Sequence, residues 1–196
     1  MNKILIVGVG QLGSRYLQGI KSSSLKFHIT AVEPKRESIE VATQRIDEIP
    51  GHGIDKIKWC DKIPENQKYD LAIISTSAFK RLKIIQKVKE SNCVKFWIIE
   101  KVLEQSNEAL LKLKNTFKNE RVVVNTPRRI MPIYEDIKTL IGKDIQMFIE
   151  SQNFGIACNS IHFIDLMEYL TEKTLTSINT NGLNKLWHSS KRQGFF

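Results

Sequence analysis

Gly8-Val9-Gly10-Gln11-Leu12-Gly13 places three glycines at the Gly-x-Gly-x-x-Gly spacing, directly after the apolar run Ile4-Leu5-Ile6-Val7. A side-chain-free loop of this kind, opening a helix, lets the backbone approach a pyrophosphate while the helix N-terminus supplies N–H donors and positive dipole. Gly8 permits the tight turn, Gly10 the close approach of phosphate, and Gly13 the packing of helix on strand. Gln11 and Leu12 complete the loop. Glu33 stands 20 residues beyond Gly13, where a carboxylate accepts hydrogen bonds from adenosine ribose hydroxyls. A negative charge there repels a 2′-phosphate, so NAD(H) is favoured. Lys35 and Arg36 follow at once and could bind that phosphate, which keeps NADP(H) open.

The elements needed to hold such a loop are legible in the hydrophobic periodicity. Short apolar runs at 3–7, 27–32, 57–60, 71–75, 96–100 and 122–125 read as strands. Between them, 11–21, 36–46, 79–90 and 107–117 carry apolar residues at helical spacing. On 79–90, Phe79, Leu82, Ile85 and Val88 form the apolar stripe, while Lys80, Lys83 and Lys87 share a solvated face. Strict alternation of strand and helix implies an α/β fold, a doubly wound parallel sheet of the Rossmann type. After Pro127 the rhythm changes to a helix at 133–141, a strand at 145–154 and a helix at 160–170, with a turn at Asn181-Gly182. These predict a dinucleotide-binding domain over 1–126 and the start of an α+β second domain over 127–196.

Composition excludes several classes. Of 196 residues, 41% are hydrophobic and 26% charged, as in ordinary globular proteins, and no apolar run approaches a membrane span. Three scattered cysteines and four histidines form neither a disulfide framework nor a metal site, so no metal is expected, and a cytoplasmic chain fits best. The net charge of +9 is spread along the chain without interleaved aromatics, which argues against nucleic acid.

Further segments resemble the glucose–fructose oxidoreductase / inositol dehydrogenase / MocA family. Ser75-Thr76-Ser77-Ala78 ends a strand where the family has Ala-Thr-Pro-Asn beside the cofactor, and Glu100-Lys101-Val102 stands for its Glu-Lys-Pro. Asn125 to Pro132 is similar to its strand-six exit, with an arginine shortly before a proline. Asn159-Ser160-Ile161-His162-Phe163-Ile164-Asp165 is similar to its His-x-x-Asp helix. Ser77, Ala78 and Val102 depart from the pattern, and Cys158 stands where an aspartate is frequent. The resemblance implies an NAD(P)-dependent oxidoreductase acting on a sugar, sugar acid or nucleotide sugar. Ser75, Thr76 and Glu100 would lie by the cofactor. Lys101 would hydrogen-bond the reacting oxygen, and His162, of the residue type that titrates near neutrality, would carry its proton. Asn159, Asp165 and Arg129 (or its neighbour Arg128) would contact substrate, and Asp165 could instead orient the imidazole. The family's second domain is longer than 127–196, and a complete one would imply a homo-oligomer. A non-catalytic nucleotide-binding remnant or cofactor-sensing subunit is the alternative.

Overall fold

Ile4 to Val7 are buried on both faces of their strand, the mark of a central parallel strand covered by helices on either side. In the computed structural model, which describes residues 2–152, 154–184 and 186, this strand is β1 (Asn2–Val7). It is followed by α1 (Gln11–Lys21), β2 (Phe27–Val32), α2 (Arg36–Asp47), β3 (Ile54–Cys60) and β4 (Gln67–Ile74). Then come α3 (Arg81–Ser91), β5 (Asn92–Glu100), α4 (Asn107–Thr116) and β6 (Val122–Asn125). The six strands form one sheet in the order β3-β2-β1-β4-β5-β6. The pairs β1–β2, β1–β4, β2–β3 and β4–β5 are all parallel. This is the doubly wound Rossmann order, with the switch between β1 and β4, where such sheets bind ligands at their carboxyl ends.

Two apolar layers hold the sheet. One side packs Leu17 of α1 and Ala42 of α2 on Ile4, Ile6 and Ile29. The other packs Ile85 and Val88 of α3 with Leu113 of α4 on Leu5, Ile74 and Trp97. The Trp97 ring meets Phe117 edge-on at 5.3 Å. Ser106 caps α4 by accepting the Ala109 N–H at 3.2 Å.

The chain divides into two compact units, Met1–Val124 and Asn125–Phe196. In the second, a short 3-10 helix (Pro127–Ile130) precedes α5 (Pro132–Leu140) and α6 (Ile156–Thr171), and each of the three packs on the other two. The turn at Asn181-Gly182 is formed, closed by Leu183 N–H on the Thr180 carbonyl at 3.0 Å.

Two expectations are corrected. The segment 145–154 is not a strand: its described residues adopt no regular structure, since a strand exists only where another backbone pairs with it. Helix α3 starts at Arg81, because Lys80 takes a left-handed conformation (φ 61°) and ends the turn before it.

Candidate dinucleotide site at the carboxyl edge of the sheet

The glycine loop connects β1 to α1 beside the end of β4. Gly8 has φ +86°, and a side chain there would strike Thr76 at 2.9 Å. At Gly13 an added Cβ would stand 2.1 Å from the Gly8 carbonyl oxygen, so α1 rests directly on the loop backbone. Around Gly10 the space is open, with nothing within 4 Å of the position a Cβ would occupy. Helix α1 has no side-chain cap and no acidic residue in its first turn, which leaves its N–H donors to an anion.

Each neighbour of the loop is held in place. Ser75 donates its hydroxyl to the Gly8 carbonyl at 2.6 Å. Thr76 has its Oγ1 buried without a hydrogen-bond partner among the described residues, a donor that a bound ligand would satisfy. Glu33, at the end of β2, is buried and accepts the Val9 N–H at 2.8 Å and the Lys35 N–H at 3.1 Å. Each oxygen keeps a lone pair for a ribose hydroxyl. Arg36 pairs with Glu40 on the surface at 3.1 Å. Gln11 and Leu12 are exposed, and the Gln11 side-chain oxygen accepts from Arg45 at 2.7 Å. An uncapped helix end, open space at one glycine and an unsatisfied hydroxyl beside another fit a dinucleotide.

The β5 exit carries the second half of this edge. Glu100 is buried and accepts the Tyr16 hydroxyl at 2.5 Å. Burial, then this bond and the Glu100 charge, push the Tyr16 phenol well above its ordinary range. Lys101 follows, partly exposed, and its peptide bond to Val102 is cis.

Arg81 underlies both exits, a role that the motifs in the sequence do not point to. It is 2% exposed and donates to the carbonyls of Thr76, Glu100, Val102 and Leu103. Glu104 accepts the Leu82 N–H at the start of the same helix. Burial pulls the Arg81 pKa down to about 10, against the attraction of Glu100 and Glu104. Its signal is one of register: Arg81 stands four residues before Ile85 and seven before Val88, on the buried stripe. Arg45 offers no such signal, reading as one more charge on a solvated helix, yet it ties α2 to Gln11 and to Ser14 Oγ (2.7 Å).

In the second unit, α6 carries Asn159, His162 and Asp165. The Asn159 amide donates to the Phe154 carbonyl. His162 is partly exposed. Arg129 grips Asp165 through Nε at 2.9 Å and Nη2 at 2.5 Å, so two expected substrate residues bond each other. This bond, then the Asp165 charge, raises the Arg129 pKa. Glu172 joins Lys138 (3.2 Å) and Lys143, and Asp144 joins Lys173. A cavity of 670 Å³ runs between α6 and the segments around 143–149 and 173–176. Among the described residues no His, Cys, Asp and Glu group could hold a metal, and no helix is long and apolar enough to cross a membrane.

No protein-family model and no curated protein matches the sequence. Solved structures do match. Scyllo-inositol dehydrogenase from Lactobacillus casei, with NAD(H) and scyllo-inositol bound, is similar at a TM-score of 0.59 and 16% identity, over 88% of this chain and 56% of that one. Myo-inositol dehydrogenase from Corynebacterium glutamicum gives 0.59 and 14%, over 87% and 55%. UDP-N-acetylglucosamine 3-dehydrogenase from Acidithiobacillus ferrooxidans gives 0.59 and 15%, over 87% and 54%. The chain has the fold of these dehydrogenases. It spans about half the length of each. The inositol-dehydrogenase resemblance drawn from short motifs therefore holds at the level of the fold, at identities where few residues coincide.

Proposed function

We propose that the chain is the cofactor-binding part of an NAD(P)-dependent oxidoreductase acting on a sugar, sugar acid or nucleotide sugar. The observation that carries this reading is the crevice at the β1–β4 switch: open space at Gly10, the uncapped start of α1, and the buried Thr76 hydroxyl. Gly8, Gly10, Gln11, Leu12 and Gly13 would hold the pyrophosphate and Glu33 the adenosine ribose, with NAD(H) preferred. Ser75, Thr76 and Glu100 would shape the nicotinamide end. A nicotinamide bound there supplies hydride transfer. Lys101, at the carboxyl end of β5, would stabilise charge on the reacting oxygen. His162 would take or return the hydroxyl proton. The similarity to dehydrogenases of inositols and of a nucleotide sugar supports this reading.

The test is a titration of the chain with NADH and NADPH, followed by fluorescence and melting temperature, alongside Glu33→Ala. Saturable binding with NADH preferred, and the preference lost in the variant, is the expected result. Binding of neither nucleotide would end the proposal.

A further inference from the structure

Two adjacent arginines on the 3-10 helix Pro127–Ile130 reach different sides of α6. Arg129 has spent its fork on Asp165, with both carboxylate oxygens engaged, and its guanidinium also lies 5.8 Å from the Tyr169 ring. Its charge is matched inside the chain. Arg128 meets Phe163 instead, and residues two apart on a helix do not share a face. The Arg128 guanidinium lies over the Phe163 ring at 4.3 Å, and its Nε is buried with no hydrogen-bond partner among the described residues. The Phe163 platform is itself braced by Phe154, at 5.6 Å between centroids, and the Asn159 amide holds the Phe154 carbonyl.

We propose that Arg128, rather than Arg129, is an oxyanion-binding residue of the second unit, taking the carboxylate or phosphate of an acidic sugar. The inference rests on the sugar-oxidoreductase reading above and narrows its substrate class. Stacking on an aromatic ring uses the face of a guanidinium and leaves its in-plane N–H donors unspent. A covered donor without a partner is costly, and a charge that is only partly hydrated gains most from a planar oxyanion matching its fork. A neutral polyol offers hydroxyl acceptors but no charge, and charge-assisted bonds are the stronger. Arg128 is partly exposed, and of its nitrogens only Nε is among the buried unpartnered atoms, so it is the Nη pair that a ligand would meet.

The experiment is isothermal titration of the full chain, without nicotinamide, with D-glucuronate, glucose 1-phosphate and myo-inositol. We expect at least one charged sugar to bind and myo-inositol to bind at least tenfold more weakly. Preference for glucuronate identifies a carboxylate ligand, and preference for the phosphate ester a phosphorylated one. Arg128→Gln should weaken binding at least tenfold, while Arg121→Gln, an exposed arginine of the first unit, leaves it within twofold. Phenylglyoxal labelling of the unmutated chain with peptide mapping guards against a variant that fails to fold. Bound sugar should protect Arg128. Equal binding of charged and neutral sugars, undiminished binding by a folded Arg128→Gln variant, or protection falling on Arg129 instead would each overturn the proposal. NADH titration of the same preparation keeps the two readings apart: a chain that binds NADH but no charged sugar retains the oxidoreductase reading and loses this one.

Discussion

The two units differ in where their backbone and apolar groups find partners. In the first, strands pair in register with one another, and most large apolar side chains of the sheet, Val123 and Val124 of β6 excepted, lie beneath helices supplied by the same 124 residues. In the second, the described residues form no strand, and Ile130, Ile133, Leu140, Phe148, Ile178 and Leu186 are each more than half exposed. Its order comes from three packed helical segments and a set of ion pairs, several of them at the surface. The lesson is that hydrophobic periodicity yields structure only where the matching surface is within the same unit. The segment 145–154 has no strand to pair with among the described residues of its unit.

Substitutions should expose this difference. The largest effect is expected at Arg81. Replacing it with Met leaves Glu100 and Glu104 without their buried counter-charge and frees carbonyls at both strand exits. That should cost about 3 kcal/mol, the upper end of the range for leaving a buried polar group unsatisfied, read by urea unfolding and circular dichroism. A loss below about 1 kcal/mol would mean water replaces the guanidinium. Gly13→Ala should follow, at about 1–3 kcal/mol of overpacking, because its methyl meets the Gly8 carbonyl. Gly10→Ala sharpens the point: with open space around it, stability should shift by no more than about 0.5 kcal/mol, while NADH binding weakens severalfold. Equal NADH affinity in that variant would remove the loop's claim on the pyrophosphate.

Smaller effects test the periphery. Ser106→Ala removes the cap of α4 and should cost about 1 kcal/mol. Asp70 accepts from the Lys3 N–H and from Lys95, and the Lys95 bond chiefly holds its carboxyl below the ordinary aspartate range. A depressed carboxyl stabilises the fold above its unfolded pKa and loses that contribution as pH falls through the folded value. Since Asp70 lies at the surface, Asp70→Asn should remove well under 1 kcal/mol at neutral pH and flatten the acid limb slightly. Least affected should be Phe148→Ser in the second unit, within about 0.5 kcal/mol by thermal melting. A substantial loss there would show that this exposed ring has a partner after all and would weaken the contrast between the units.

Most of the first unit was readable because its signals are local. The spans of α1, β2 and β6 coincide with the periodic runs, and the glycine spacing located the loop. Strands β3 and β4 extend further back than their apolar runs, to Ile54 and Gln67, since parallel pairing continues through polar residues such as Lys56 and Lys68. Long-range polar contacts leave no such local signal. The bond from Tyr16 to Glu100 and the reach of Arg45 to Ser14 depend on tertiary placement that no spacing rule encodes. In the second unit, the motifs point to Arg129 and Asp165 each as a substrate contact, but their bond joins residues far apart in the chain and is visible only in three dimensions.

The strand order also bears on how the chain assembles during synthesis. β1 is made before the other strands of this sheet, yet it ends in the middle of it, with Asn2 opposite Phe27 on one side and Ile4 opposite Leu71 on the other. Its second edge stays open until β4 has been translated, and β4 then waits for β5. Such non-local parallel pairing slows folding and prolongs exposure of an apolar edge. Until both neighbours are made, Ile4-Leu5-Ile6-Val7 remains an unpaired apolar edge of the kind that invites aggregation, at the same residues that later position the glycine loop.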